Sequence, residues 1–175
     1  KINIFLQGAL RGFKHTLELA WPDGCFPYRR NNGSTINYTS LVLWCFLNVL
    51  EVLPTCFRSD WPCPEYIDVK LTQNAAFLRS CVQPDGKLDW EANETSTAKY
   101  NIWTYAITMN VLARLGGDEN NAVVQQLFGK LLQYQTESGL LPMRDRGEEI
   151  TKCLYMQADI ALFLLSVSDI DTENM

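Results

Sequence analysis

The residues able to do chemistry fall in three polar loops. Asp89 and Glu91 stand in the second loop, and Asp145, Glu148 and Glu149 in the third. A carboxylate pair, one acid and one base, is what glycoside cleavage requires. Tyr28, Arg29 and Arg30 occupy the first loop, where they could bind a carboxylate or phosphate or pair with the acidic loops. Charged loop residues are usually just solvated, so these positions read as a candidate binding rim and no catalytic residue is assigned. An aspartate-rich D-x-D-D acid is absent, and Asp85-Gly-Lys-Leu-Asp89 and Asp169-Ile-Asp171 look like a turn and a terminus. His15, the single histidine, reads as an ordinary surface residue of the first helix. No C-x-x-C pair occurs, so a four-ligand zinc site is unsupported, and neither metal nor cofactor is expected.

Six cysteines and three N-x-S/T sequons, at Asn32, Asn37 and Asn93, suit a disulfide-bonded, glycosylated, secreted protein. Cys56 and Cys63 bracket a loop with Pro and Asp and are the candidate disulfide. Cys45, inside an apolar run, reads as a small buried hydrophobe. Lys1 leads directly into an amphipathic pattern, so secretion implies a mature form or an excised piece. A net charge of −5 argues against nucleic-acid binding, which needs a basic surface. The longest apolar run, Leu41 to Leu47, is far short of the ~20 residues of a membrane span.

The elements that carry these loops form a repeat. Trp21-Pro-Asp-Gly-Cys-Phe-Pro27, Gln83-Pro-Asp-Gly-Lys-Leu-Asp89 and Thr136-Glu-Ser-Gly-Leu-Leu-Pro142 share one turn grammar, with glycine supplying a positive φ. Aligned on Gly24, Gly86 and Gly139, the apolar Phe26, Leu88 and Leu141 coincide, as do Asn48 and Asn110. Helices are predicted at 3–20, 35–53, 65–82, 97–116, 119–135 and 150–167. The fifth sets Val124, Leu127, Phe128 and Leu131 on one stripe with a polar back. The second and sixth are apolar all round, so neighbours should surround them, and Trp44 should be core. The fold class is therefore all-α, an α/α-toroid-like arc of three helical hairpins with inner and outer layers. It forms one domain over 1–175, with repeats at 1–53, 65–116 and 119–167. Trp90, Trp103 and Tyr105 could stack on a sugar or polyene but read more readily as wedges between helices.

Several toroid families share this grammar, among them terpenoid cyclases, prenyltransferase β-subunits and polysaccharide-degrading enzymes. Asp23-Gly-Cys-Phe-Pro-Tyr28, Gly33-Ser-Thr35 and Thr39-Ser-Leu-Val-Leu-Trp-Cys-Phe-Leu47 resemble the thioester domain of the macroglobulin/complement family. Tyr100-Asn-Ile-Trp-Thr-Tyr-Ala-Ile107 with Leu112-Ala-Arg-Leu-Gly116 is similar to a later helix of that domain. Glu149-Ile-Thr151 leading into Ala158-Asp-Ile-Ala-Leu-Phe-Leu-Leu165 is similar to another. The reactive C-G-E-Q segment does not occur, and Ser96 stands nearest to a histidine some members carry, so thioester chemistry is not implied. What the resemblance implies is a non-catalytic, secreted protein-interaction domain in host defence or protease control. Its partners would be another protein or segments of a parent chain, and self-association could close the toroid. The alternative is a small α/α-toroid enzyme acting on a carbohydrate or isoprenoid, with Trp103, Tyr105 and Tyr155 lining an axial pocket.

Overall fold

A computed structural model describes residues 2–27, 35–52, 64–89, 102–142 and 157–165. The described residues are all-α: α1 (Ile2–Glu18), α2 (Ile36–Val52), α3 (Pro64–Ser80), α4 (Ile102–Leu115), α5 (Asp118–Tyr134) and a helical stretch at 157–165, here α6. Local chemistry sets several of these ends. Pro64 opens α3, where its missing N–H costs nothing, and Glu65 follows in the first turn, where the helix dipole favours an anion. Gly116 and Gly117 both take positive φ, stop α4 and turn the chain into α5, which begins on Asp118 and Glu119. Arg79 of α3 ties that corner, bonding Glu119 at 2.8 Å and Asn120 at 2.6 Å.

Three turns with one shared backbone hydrogen-bond pattern follow α1, α3 and α5. Gly24, Gly86 and Gly139 have φ of 88°, 80° and 80°. Each donates its N–H to the carbonyl three residues back, on Trp21, Gln83 and Thr136. Those same three residues donate their own N–H to Cys25, Lys87 and Leu140. Asp23 and Asp85 each accept a further backbone N–H two residues on, at 3.1 Å. The Lys87 N–H, and after it Lys130, hold the Asp85 carboxyl below the usual carboxylate range. Phe26, Leu88 and Leu141 are buried, as the alignment on glycine predicts.

The core is centred on α4, where Ile102 and every residue from Thr104 to Ala113 are buried. Ser40 and Thr108 hydrogen-bond at 2.7 Å between α2 and α4. Asn110 donates to the Phe163 carbonyl of α6 at 3.2 Å, and Tyr105 meets Tyr134 of α5 edge to face. α3 packs against α2, α4 and α5. Phe13 of α1 meets Phe46 of α2 with ring centroids 4.1 Å apart.

Four sequence expectations need correction. Cys45 is exposed, because α4 packs on the opposite side of α2. Leu162 and Leu165 are 64% and 62% exposed, so α6 is apolar all round without being surrounded. Phe128 is 42% exposed at the margin of an α5 stripe whose Val124, Leu127 and Leu131 are buried. Trp44 is only half-buried. Apolarity reports what a helix would bury, and the number of neighbours that reach it is a separate, tertiary matter.

Candidate functional site

Trp44 is only half-buried because it lines a hollow of about 520 Å³ on the face shared by α2, α4 and α6. Each helix contributes one stripe. Trp44, Asn48 and Glu51 lie at i, i+4 and i+7 on α2; Trp103, Asn110 and Arg114 at i, i+7 and i+11 on α4; Asp159, Leu162 and Phe163 at i, i+3 and i+4 on α6. The walls are aromatic. Phe163 takes Trp44 edge-on at 5.8 Å and Trp103 at 5.9 Å, which fixes both indoles at the margin of the hollow.

The polar groups collect at one end. Arg114, its side chain only 11% exposed, donates to Glu51 at 2.6 Å and to Asn48 at 3.0 Å. A buried guanidinium needs such partners, and here two of its nitrogens are already committed. Glu51 is correspondingly engaged as a counter-ion. The hollow thus offers a wide apolar surface beside a small, pre-paired polar edge, which suits it to recognition. Among the described residues no group of histidine, cysteine, aspartate and glutamate side chains is placed to hold a metal.

Most of the rim expected from sequence lies outside the described residues: Tyr28, Arg29, Arg30, Glu91, Asp145, Glu148 and Glu149. So do Cys56, Cys63, Asn32, Asn93, Trp90 and Tyr155. Asp89 is half-buried and accepts from the Gln83 amide at 2.5 Å across its own turn, and it does not line the hollow. Asn37, in the first turn of α2, accepts from Thr104 at 3.3 Å, while the Thr39 hydroxyl of the same sequon is fully buried and bonded to the Thr35 carbonyl. Of the pocket expected for an enzyme, Trp103 lines the hollow. Tyr105 does not: it is fully buried, and its hydroxyl accepts the Leu88 N–H at 3.3 Å. His15 is exposed on α1, as expected. Trp44, Asn48 and Arg114 were missed. Their spacing along each helix is a visible stripe, but inside apolar runs it reads as core.

No helix of the described residues is long and apolar enough to cross a membrane. Cys45 and Cys81 are free thiols, the first exposed and the second buried. Burial pushes the Cys81 thiol up to about 12. Under mildly alkaline native conditions, iodoacetamide is therefore expected to modify Cys45 and to spare Cys81 until denaturant is added. Peptide mass mapping checks this; modification of Cys81 at the rate of Cys45 would contradict its burial. No protein-family model, curated protein or solved structure matches the chain.

Proposed function

We propose that this chain is a non-catalytic protein-interaction domain that receives an apolar segment of a partner protein in the α2–α4–α6 hollow. The observation that carries this reading is the pairing of two indole walls with an arginine already neutralised by Glu51. Aromatic walls bind side chains at little entropic cost, and tryptophan dominates interface energetics out of proportion to its number. A general acid, by contrast, must be free to hand over its proton. The resemblance to a macroglobulin/complement thioester domain supports an extracellular setting, in host defence or protease control; the sequons add glycans to that reading, and the loop between Cys56 and Cys63 a disulfide. The arc of a toroid is the arrangement that the resemblance and the helix order support.

Selection from a displayed peptide library tests the reading, with indole fluorescence as the readout. Aromatic- or leucine-bearing peptides are expected to quench Trp44 and Trp103, and Trp103→Ala to weaken them about ten-fold or more. Enrichment of no peptide, or enrichment indifferent to Trp103→Ala and Trp44→Ala alike, would sink it.

One observation favours a second reading, the carbohydrate- or isoprenoid-acting enzyme. Asp159 and Glu51 border the same hollow as the two indoles, and a sugar ring uses an aromatic platform beside carboxylates. Quenching by oligosaccharides or prenyl diphosphates in place of peptides, with turnover lost in Asp159→Asn, would establish it.

A further inference from the structure

The repeat contains its own packing template. In the first turn Gly24 rests against the Gln73 carbonyl of α3, where any Cβ would overlap it, and the Asn74 amide donates to the Gly24 carbonyl. In the second turn Gly86 rests on α5, where a Cβ would stand 2.6 Å from the Gln126 carbonyl and 3.1 Å from the Lys130 Cβ. The two seats share one register: Gln73 precedes Gly86, and Gln126 precedes Gly139, by 13 residues (86 − 73 = 139 − 126). Each turn therefore docks on the first helix of the following hairpin at the same height.

The third turn has the same two backbone hydrogen bonds and a similar positive φ, yet Gly139 is exposed and Leu140 is 41% exposed. Counting the same 13 residues back from Gly24 places the corresponding seat on α1 at Arg11, followed by Gly12. Both are exposed, and a Cβ on Gly12 would meet nothing within 4 Å among the described residues. One end of the array presents the turn; the other presents its seat.

The helices α6 and α2 repeat this polarity. Ala158, Ala161, Leu162 and Leu165 lie at i, i+3, i+4 and i+7 of α6, and all four are exposed. On α2 the exposed Cys45 is flanked one turn away on each side by half-buried Leu41 and Val49. Charge agrees in sign, since Arg11 and Lys14 border the α1 seat and Glu137 sits in the third turn. We infer that the chain associates head to tail with a second copy of itself. The third turn and α6 of one copy dock on α1 and α2 of the next. The occupant is a second copy, because its own α1 offers an exposed seat at the register that this turn already uses twice. Such an interface is heterologous, so its two faces differ and can be blocked separately.

Solution mass against concentration, followed by a mixing experiment, tests this. The wild-type chain is expected to rise above its 20.0 kDa monomer mass with concentration. Gly12→Trp fills the seat, and the double variant Ala161→Asp, Leu165→Asp charges the α6 stripe. Each alone is expected to remain monomeric with unchanged helicity. Mixed in equal amounts, they are expected to form a single species of twice the monomer mass, because each retains the face the other lacks. If Gly12→Trp loses helicity, Arg11→Glu replaces it, with association weakened about ten-fold. A wild-type chain monomeric up to about 1 mM would overturn the inference. So would an associating wild type whose two blocked variants fail to combine, since that is the behaviour of a face-to-face contact.

Discussion

Gly24→Ala is expected to destabilise the protein by roughly 3 kcal/mol or more, and Gly139→Ala by only about 1 kcal/mol, although both glycines take nearly the same positive φ. The left-handed backbone accounts for the shared part. It disfavours any Cβ by about 1–2 kcal/mol. The difference arises from the seat. At position 24 the new methyl would overlap the Gln73 carbonyl, a backbone atom held in the α3 hydrogen-bond ladder. Relief then requires the whole turn to lift from α3, which would break the Asn74–Gly24 bond and part Phe26 from the core. At position 139 the closest atom is the mobile end of Gln135, 3.9 Å away. Gly86→Ala should resemble Gly24→Ala, with the Gln126 carbonyl as the obstacle. Urea titration checks the series through the shift in midpoint at constant slope. Equal midpoints for the three variants would show that the seats contribute nothing.

Phe46→Ala should cost about 3–5 kcal/mol, the range for truncating a well-packed core phenylalanine. Phe46 is 4% exposed and touches two different parts of the first hairpin, Phe13 of α1 and Phe26 of the turn, the latter at 6.0 Å. Removing the ring would leave a cavity among three elements, none of which can close it alone. In a repeat array stability is approximately a sum over neighbours, so the loss should be local. Amide exchange is expected to accelerate in α1 and the first turn while α4 stays protected. Phe128→Ala, at a site 42% exposed on α5, should change stability by less than about 1 kcal/mol. Uniform acceleration across all helices in Phe46→Ala would show a single cooperative unit instead.

The three turns were legible in the sequence because glycine and the apolar residue two positions later answer local constraints, a positive φ and an anchor. The groups that complete them were not. The buried N–H of Phe26 goes to the Thr39 hydroxyl at 2.9 Å, that of Leu88 to Tyr105, and that of Leu141 to the Gln157 amide oxygen at 3.5 Å. One backbone need is met by three residue types at three different distances along the chain. Aligning the repeats on glycine cannot find them, because satisfaction depends on where the neighbouring helix passes and not on sequence register. The hollow was hidden for a related reason. Trp44 and Trp103 sit in apolar runs, and only the packing of α2 against α4 and α6 shows that their flanks stay open.

The seats themselves bear on how such a chain can change its sequence. Gly24 and Gly86 rest on carbonyl oxygens, so the residue beneath each turn, a glutamine both times, is met through its backbone and not through its side chain. The position after it is used differently, since Asn74 ties the first turn through its amide and Leu127 fills the core under the second. A hairpin in this array can therefore drift at nearly every surface position and still stack, provided its turn keeps the one residue that has no side chain.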